Sequence, residues 1–344
     1  MKVACTQCGE PYPESGVPYK CPTCGGVYDY VGPFIPDRAR SAKDQVSLGE
    51  GNTPLIPAQV SGRQVYFKCE YMNPTGSFKD RGSATLVSFL LTRGVTEAIE
   101  DSSGNAGASF AAYSARAGIK ACVYVPDSAS GPKRKQIEAY GAELVPVSGP
   151  REKASEAAMR AADVGRVYAS HAYLPFNLPG YATCTYEIFE QLGSVPGTVI
   201  LPAGQGGFYL GMARGFEALL CADKIGGMPK MIGVQARACA PLYKLWKTGT
   251  MDHVQESPTI AEGVRNRRPV RAEAVVEMAR RCGGSFAVVD EEHLLPGRDA
   301  LAHLGFYVEP TSALVWRVLE ESISTLPDPI VVILTGSGLK YLSY

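Results

Sequence analysis

The sequence predicts an α/β protein built on parallel sheets and preceded by a small metal-binding ribbon. Three observations carry that expectation. Short apolar runs alternate with amphipathic stretches along most of the chain, the pattern of strand and helix units in a parallel sheet. A length of 344 residues is too great for one minimal core and implies about two domains plus an appendage. The first 25 residues hold two CxxCG turns.

Composition sets the broad class. Hydrophobic residues at 45% and charged residues at 20% give ample apolar material for packed cores and no bias toward disorder. Thirty-four basic residues balance 34 acidic ones, so no overall field draws the chain to nucleic acid or an anionic membrane. A small-molecule partner is expected, with no nucleic-acid and no membrane partner. The start, Met-Lys-Val-Ala-Cys, lacks an apolar h-region, and no stretch approaches the ~18–20 uninterrupted apolar residues of a membrane span. A cytoplasmic location is therefore expected. Six of the ten cysteines (Cys69, Cys122, Cys184, Cys221, Cys239 and Cys282) stand singly in apolar segments, as reduced core thiols do.

The other four make the first element. Cys5-Thr-Gln-Cys8-Gly and Cys21-Pro-Thr-Cys24-Gly offer four thiolates, and in each turn the glycine lets the backbone fold tightly enough for amides to face sulfur. Four thiolates suit tetrahedral zinc and leave no position for water, so the expected metal is structural. A redox dithiol pair or a metal-free knuckle is the alternative. Lys2 and Lys20 stand against Glu10, Glu14 and Asp29, too little positive charge for docking nucleic acid. The ribbon is placed at 1–32, and the prolines and glycine of Val31-Gly-Pro-Phe-Ile-Pro36 mark a linker. Beyond it the alternating runs fall at 64–69, 83–92, 106–117 and 121–125. They resume at 155–164, 181–192, 198–202, 208–220, 231–235 and 272–281, and close with a helix over 312–323 and a buried strand over 330–334. There is no internal repeat.

Four loops carry chemistry, each where a strand ends or a helix starts, the place at which open α/β sheets bind ligands. In Asn73-Pro-Thr-Gly-Ser-Phe78-Lys79-Asp-Arg81-Gly82, an amine at a helix start can condense with an aldehyde and shuttle protons. The positive helix end favours its neutral form. Asp101-Ser102-Ser103-Gly104-Asn105-Ala-Gly-Ala-Ser109 precedes an alanine-rich helix and presents hydroxyls and amides suited to a carboxylate; a plain helix cap is the alternative. Leu201-Pro-Ala-Gly204-Gln205-Gly206-Gly207-Phe208 has the form of a phosphate cradle, with neither a GKS/GKT ending nor GxGxxG. Leu334-Thr335-Gly-Ser337-Gly-Leu-Lys340 follows the last apolar strand, and there a simple glycine turn is the alternative.

The wording NPTGSFKDRG resembles the lysine loop of fold-type II pyridoxal-phosphate (PLP) enzymes and is most similar to that of the threonine synthases, of the archaeal type with an N-terminal zinc ribbon. GEGNTPL at 49–55 and EPTSA at 309–313 also look like family segments, so the resemblance runs from about Leu48 onward. It implies two parallel-sheet α/β domains of the tryptophan synthase β-like kind: a large domain of 33–83 with 180–344, a small one of 84–179, and a homodimer. It implies that Lys79 joins PLP, that Asn105 faces the cofactor's 3-hydroxyl oxygen, and that Gly204, Gln205, Gly206, Gly207 and Phe208 hold its phosphate. Phe78 would flank the cofactor, and Thr335, with Ser337 in reserve, would meet the pyridine nitrogen. Ser102, Ser103 and Gly104 would hold the carboxylate of a small amino-acid substrate.

The implied reaction is O-phosphohomoserine and water to threonine and phosphate, with Lys68, Arg81 and the Arg265, Arg267 and Arg268 cluster as candidates to meet the leaving phosphate. SSGNAG stands where many threonine synthases have STGNT, and GQGG where they have an asparagine-rich loop. The segment 259–269 looks partly like that of serine/threonine ammonia-lyases. An ammonia-lyase or a β-replacement synthase of the same fold is thus the second reading. The short stretch after Thr335 leaves no room for an allosteric domain, which favours the synthase. A non-catalytic PLP or zinc-ribbon interaction protein would not need the intact lysine loop.

Overall fold

The computed structural model describes residues 2–32, 34, 45–127 and 131–341. The linker expected over 31–36 lies largely outside them. The first fifty residues hold β1 (Lys2–Cys5) and β2 (Tyr28–Val31), and 51–78 hold β3 (Leu55–Val60) and β4 (Arg63–Lys68). Next come α1 (Lys79–Thr92), β5 (Glu97–Glu100), α2 (Asn105–Ala117), β6 (Lys120–Pro126), α3 (Pro132–Ala139), β7 (Glu143–Val147) and α4 (Arg151–Asp163). The remainder is α5 (Leu178–Leu192), β8 (Thr198–Pro202), α6 (Gly207–Cys221), β9 (Lys230–Ala236), α7 (Pro241–Thr248), α8 (Ala272–Arg281), β10 (Ser285–Val289), α9 (Leu294–His303), α10 (Pro310–Ser322) and β11 (Ile330–Ile333). Two compact units result, one of 1–50 with 79–180, the other of 51–78 with 181–343. Among the described residues no helix is long and apolar enough to cross a membrane.

The first unit centres on a parallel sheet in the order β5-β6-β7. The extended run after α4 lies alongside β5: Ile99 and Ala169 donate to the carbonyls of Val167 and Ile99, each at 2.8 Å. That makes a parallel bridge of Ile99 with Tyr168 and brings the end of this run to the C-terminal edge of β5. Small residues on α2 (Ala108, Ala111 and Ala112) are buried beside Leu86 and Leu90 of α1, so the two helices approach closely. β1 and β2 pair antiparallel, and the ribbon is not a free appendage. Tyr12 sets its edge against Phe89 of α1 and Phe176, at 5.9 and 5.0 Å between ring centroids, and those two rings stack at 3.5 Å.

The second unit is a six-stranded sheet in the order β10-β9-β8-β11-β4-β3, parallel except where β3 meets β4. Its central strands, TVILP and IVVI, are buried at every residue, as strands covered on both faces must be. Phe67, Ile200, Val234, Leu314 and Val332 form the core around them. Two expectations need correction. Lys68, at the end of β4, cannot meet a leaving phosphate: it is fully buried, and the three protons of its ammonium go to Thr53 O at 2.8 Å, Glu187 Oε2 at 2.8 Å and Gln191 Oε1 at 2.9 Å. Cys221 is not a core thiol, because α6 ends there and leaves it exposed.

Candidate active site

In the second unit three loops meet the ends of central strands. β8 stops at Pro202, and α6 starts at Gly207 with Gly206 as its N-cap and no side chain capping the first turn, so its leading amides face outward unsatisfied by capping. Gly204 abuts the 263–266 segment: an added Cβ would stand 2.7 Å from Gly263 O and 2.8 Å from Asn266 Nδ2. The Gln205 side chain faces the same way, donating to Asn266 Oδ1 at 3.2 Å and accepting from Val270 N at 3.2 Å. The backbone amides of the loop remain for an anion. A backbone cradle at an uncapped helix start fits a phosphate group. We expect Gly204→Ala, which must displace that segment at a cost of about 1–3 kcal/mol, to weaken PLP binding roughly ten- to hundredfold in a fluorescence titration, with the protein still folded.

Thr335 is buried after β11, and Ser312 of α10 fixes it. The Ser312 hydroxyl oxygen accepts from Thr335 N and Gly336 N, each at 2.9 Å, and lies 2.9 Å from Thr335 Oγ1. With both acceptor positions on Ser312 filled, its proton goes to Thr335 Oγ1 or to Gly336 O at 3.4 Å, and in either case the Thr335 hydroxyl keeps its own proton to donate. Ser337 instead caps the following turn, accepting from Leu339 N at 3.3 Å.

The loop that leads to Lys79 is stapled to this same place. Phe78 N donates to Thr335 O at 3.0 Å, and Ser337 N to Gly76 O at 3.0 Å. The Phe78 ring stacks on Phe208, the second residue of α6, at 4.3 Å, and Tyr181 sets against both rings at 5.5 Å. Phe208 is buried, so its side chain is a packing support and its amide is the part available to an anion.

In the first unit Lys79 is the first residue of α1, so the helix begins four residues ahead of the 83–92 run expected from periodicity. Asp80, beside it, accepts from Ser109 of α2 at 2.6 Å. The Ser102-Ser103-Gly104 turn runs from β5 into α2, whose start at Asn105 has Gly104 as N-cap and no side-chain cap. Gly107 allows this: a Cβ there would lie 1.8 Å from Ser102 O. Arg81 is buried. Arg265, Arg267 and Arg268, in the second unit, are exposed, and Arg265 pairs with Glu256 at 2.6 Å.

The sequence reading missed two arrangements. Ser312 lies in EPTSA, which carried a resemblance but no assigned role. His171 meets Glu100 through Nδ1 at 2.5 Å, and only the run alongside β5 joins residues 71 apart in sequence.

In the ribbon the four sulfurs converge: Cys5 to Cys24 and Cys8 to Cys24 are 3.4 Å apart, and Cys8 to Cys21 is 3.7 Å. A tetrahedral zinc with bonds of about 2.3 Å needs sulfurs roughly 3.8 Å apart, so the set fits the ion. The two turns match bond for bond, Gly9 N to Cys5 O at 3.0 Å and Gly25 N to Cys21 O at 2.8 Å. Gly26 is held against a ligand, since a Cβ there would stand 2.7 Å from Cys5 Sγ.

The sequence model of the family described as "pyridoxal-phosphate dependent enzyme" matches residues 46–336. The threonine synthase of Methanocaldococcus jannaschii is 33% identical over 99% of this chain and 93% of its own, and that of Methanosarcina acetivorans 31% identical over 98% and 91%. Among solved structures, the T.th. threonine deaminase superposes with a TM-score of 0.70 at 26% identity, covering 85% of this chain and 93% of its own. Maize serine racemase gives 0.72 at 21%, covering 83% and 88%. The fold is the fold-type II PLP architecture that the alternating pattern and the lysine loop lead one to expect, and PLP is the cofactor. The chain belongs to the pyridoxal-phosphate dependent enzymes.

Proposed function

We propose that this enzyme is a threonine synthase, converting O-phosphohomoserine and water to threonine and phosphate. The likeness to threonine synthases over nearly the whole chain, ribbon included, carries the reading. Bound PLP supplies an electron sink that acidifies the hydrogen on the substrate's Cα. Lys79 carries the amine that takes that proton and then one from Cβ. The amides of Gly204, Gln205, Gly206, Gly207 and Phe208 hold the cofactor phosphate, Asn105 faces the 3-hydroxyl oxygen, and Phe78 flanks the ring. Thr335 offers its remaining proton to the pyridine nitrogen, so that nitrogen stays unprotonated. Ser102, Ser103 and Gly104 hold the substrate carboxylate at the start of α2. Arg81, buried as Lys68 is, and the exposed Arg265, Arg267 and Arg268 are left without an assignment to the leaving phosphate. The four cysteines hold a structural zinc, and the assembly is a homodimer.

A second reading, an ammonia-lyase, is favoured by the superposition on a threonine deaminase and by the withdrawal of Lys68 from the leaving-group candidates. One holoenzyme preparation separates the two when offered O-phosphohomoserine, threonine, serine and O-phosphoserine in turn. The expected result is phosphate release from O-phosphohomoserine with threonine as product, at least about tenfold faster than deamination of threonine. Dominant 2-oxobutanoate from threonine, with no phosphate from O-phosphohomoserine, would place the enzyme with the ammonia-lyases.

A further inference from the structure

His171 stands at the C-terminal edge of the first unit's sheet, beside the β5 end that turns into the Ser102-Ser103-Gly104 loop. Its backbone amide donates to Glu100 Oε2 at 3.3 Å, its Nδ1 lies 2.5 Å from Glu100 Oε1, and its carbonyl accepts from Asn177 Nδ2 at 2.6 Å. The residue is therefore held at both backbone groups and, through Nδ1, at the ring. Its Nε2 has no protein partner among the described residues, and the side chain is 13% exposed, so this nitrogen is reachable. An imidazole gripped at one nitrogen and open at the other is an arrangement for presenting a defined proton to a ligand.

Which proton it presents follows from the surroundings. Glu100 is fully buried; burial first, and the neighbouring Asp101 second, push its carboxyl well above the usual range, which favours the protonated form. Burial opposes the charge on Asp101 too, but Arg151 and His171 and hydrogen bonds from Ser155 and Tyr168 hold its pKa below the usual value. Burial, then the charge of Lys79, drive the His171 imidazole well below its ordinary range. A carboxyl that keeps its proton donates O–H to Nδ1, 2.5 Å away, and so places the ring hydrogen on Nε2. His171 thus offers an N–H donor within the electrostatic reach of the Arg151 cation.

We propose that His171, oriented by Glu100, binds the phosphate of the phosphorylated amino-acid substrate through Nε2–H. The assignment rests on the threonine synthase reading for the identity of the ligand; the anion contact itself does not. Glu100 is a positioning residue that acts through the ring.

The test uses holoenzyme and two readouts. The chain has four histidines, so their ring Cε1–H signals can be resolved by NMR and that of His171 identified by its loss in His171→Leu. In the wild type, inorganic phosphate is expected to shift this signal saturably, and in Glu100→Ala the shift is expected to be lost while the PLP absorbance stays. In kinetics, His171→Leu is expected to raise KM for O-phosphohomoserine at least about tenfold with a smaller change in kcat, Glu100→Ala to raise it as well, and Glu100→Gln, which can still grip Nδ1, to keep most of the wild-type KM. If phosphate shifts the His171 signal but the wild type does not turn over O-phosphohomoserine, the substrate reading fails and the anion site stands. If phosphate leaves the signal unmoved, or His171→Leu leaves KM unchanged in an enzyme that does turn over O-phosphohomoserine, the proposal is overturned.

Discussion

Lys79→Ala is expected to lose the borohydride-sensitive visible band of the holoenzyme and to lower turnover at least about a thousandfold, since proton transfer by a positioned side chain contributes on the order of 10²–10⁴ and covalent attachment is lost with it. The effect should be confined to chemistry. Phe78 is held by its amide on Thr335 O and by stacking on Phe208, and neither contact involves the lysine side chain. The variant should therefore fold and still take up PLP through its phosphate, noncovalently. The check is an absorbance spectrum before and after borohydride, with single-turnover rates on the same sample. A variant that keeps a reducible band and full turnover would move the attachment to another lysine. Lys68, a buried lysine of the second unit, has all three protons engaged in the resting fold, so a transfer to it would require the rupture of a buried ion pair.

How much of this was legible in sequence depended on whether a feature is local. The central strands β8 and β11 read clearly because burial on both faces leaves an unbroken apolar run. The loops after them read clearly because glycines and prolines mark them. β5 escaped: Glu-Ala-Ile-Glu is short and half acidic, and the partner of the buried Glu100, His171, arrives from a distant segment. The start of α1 at Lys79 also escaped, because the polar Lys79-Asp80-Arg81 turn lacks helical apolar periodicity, although Asp80 and Arg81 are buried. Lys68 was misjudged for the same reason in reverse. A lysine at a strand end looks available until Glu187 and Gln191, more than a hundred residues on, close around it. Buried polar pairs are invisible to a pattern that sorts residues into apolar and polar.

The largest effect on stability is expected from the ribbon. Chelation of the zinc proposed for the four thiolates, or Cys8→Ser with Cys24→Ser, should unfold 2–31, because a two-stranded pair of four residues each cannot hold itself together in water. The consequence reaches past the ribbon, since Tyr12 covers the stacked Phe89 and Phe176. Uncovering two aromatic faces removes about 2–4 kcal/mol of burial, which for a chain of this size lowers the unfolding midpoint by roughly 3–6 °C. Metal analysis of the untreated protein should find about one zinc per chain, and calorimetry should show the fall in midpoint. PLP absorbance should be retained in the folded fraction, because a four-thiolate site has no open position at which a substrate can be polarised. Loss of the fall in midpoint would mean that the sulfurs converge without a resident ion, as in a metal-free knuckle. Loss of PLP chemistry in protein that remains folded would instead give the ion a part in the reaction.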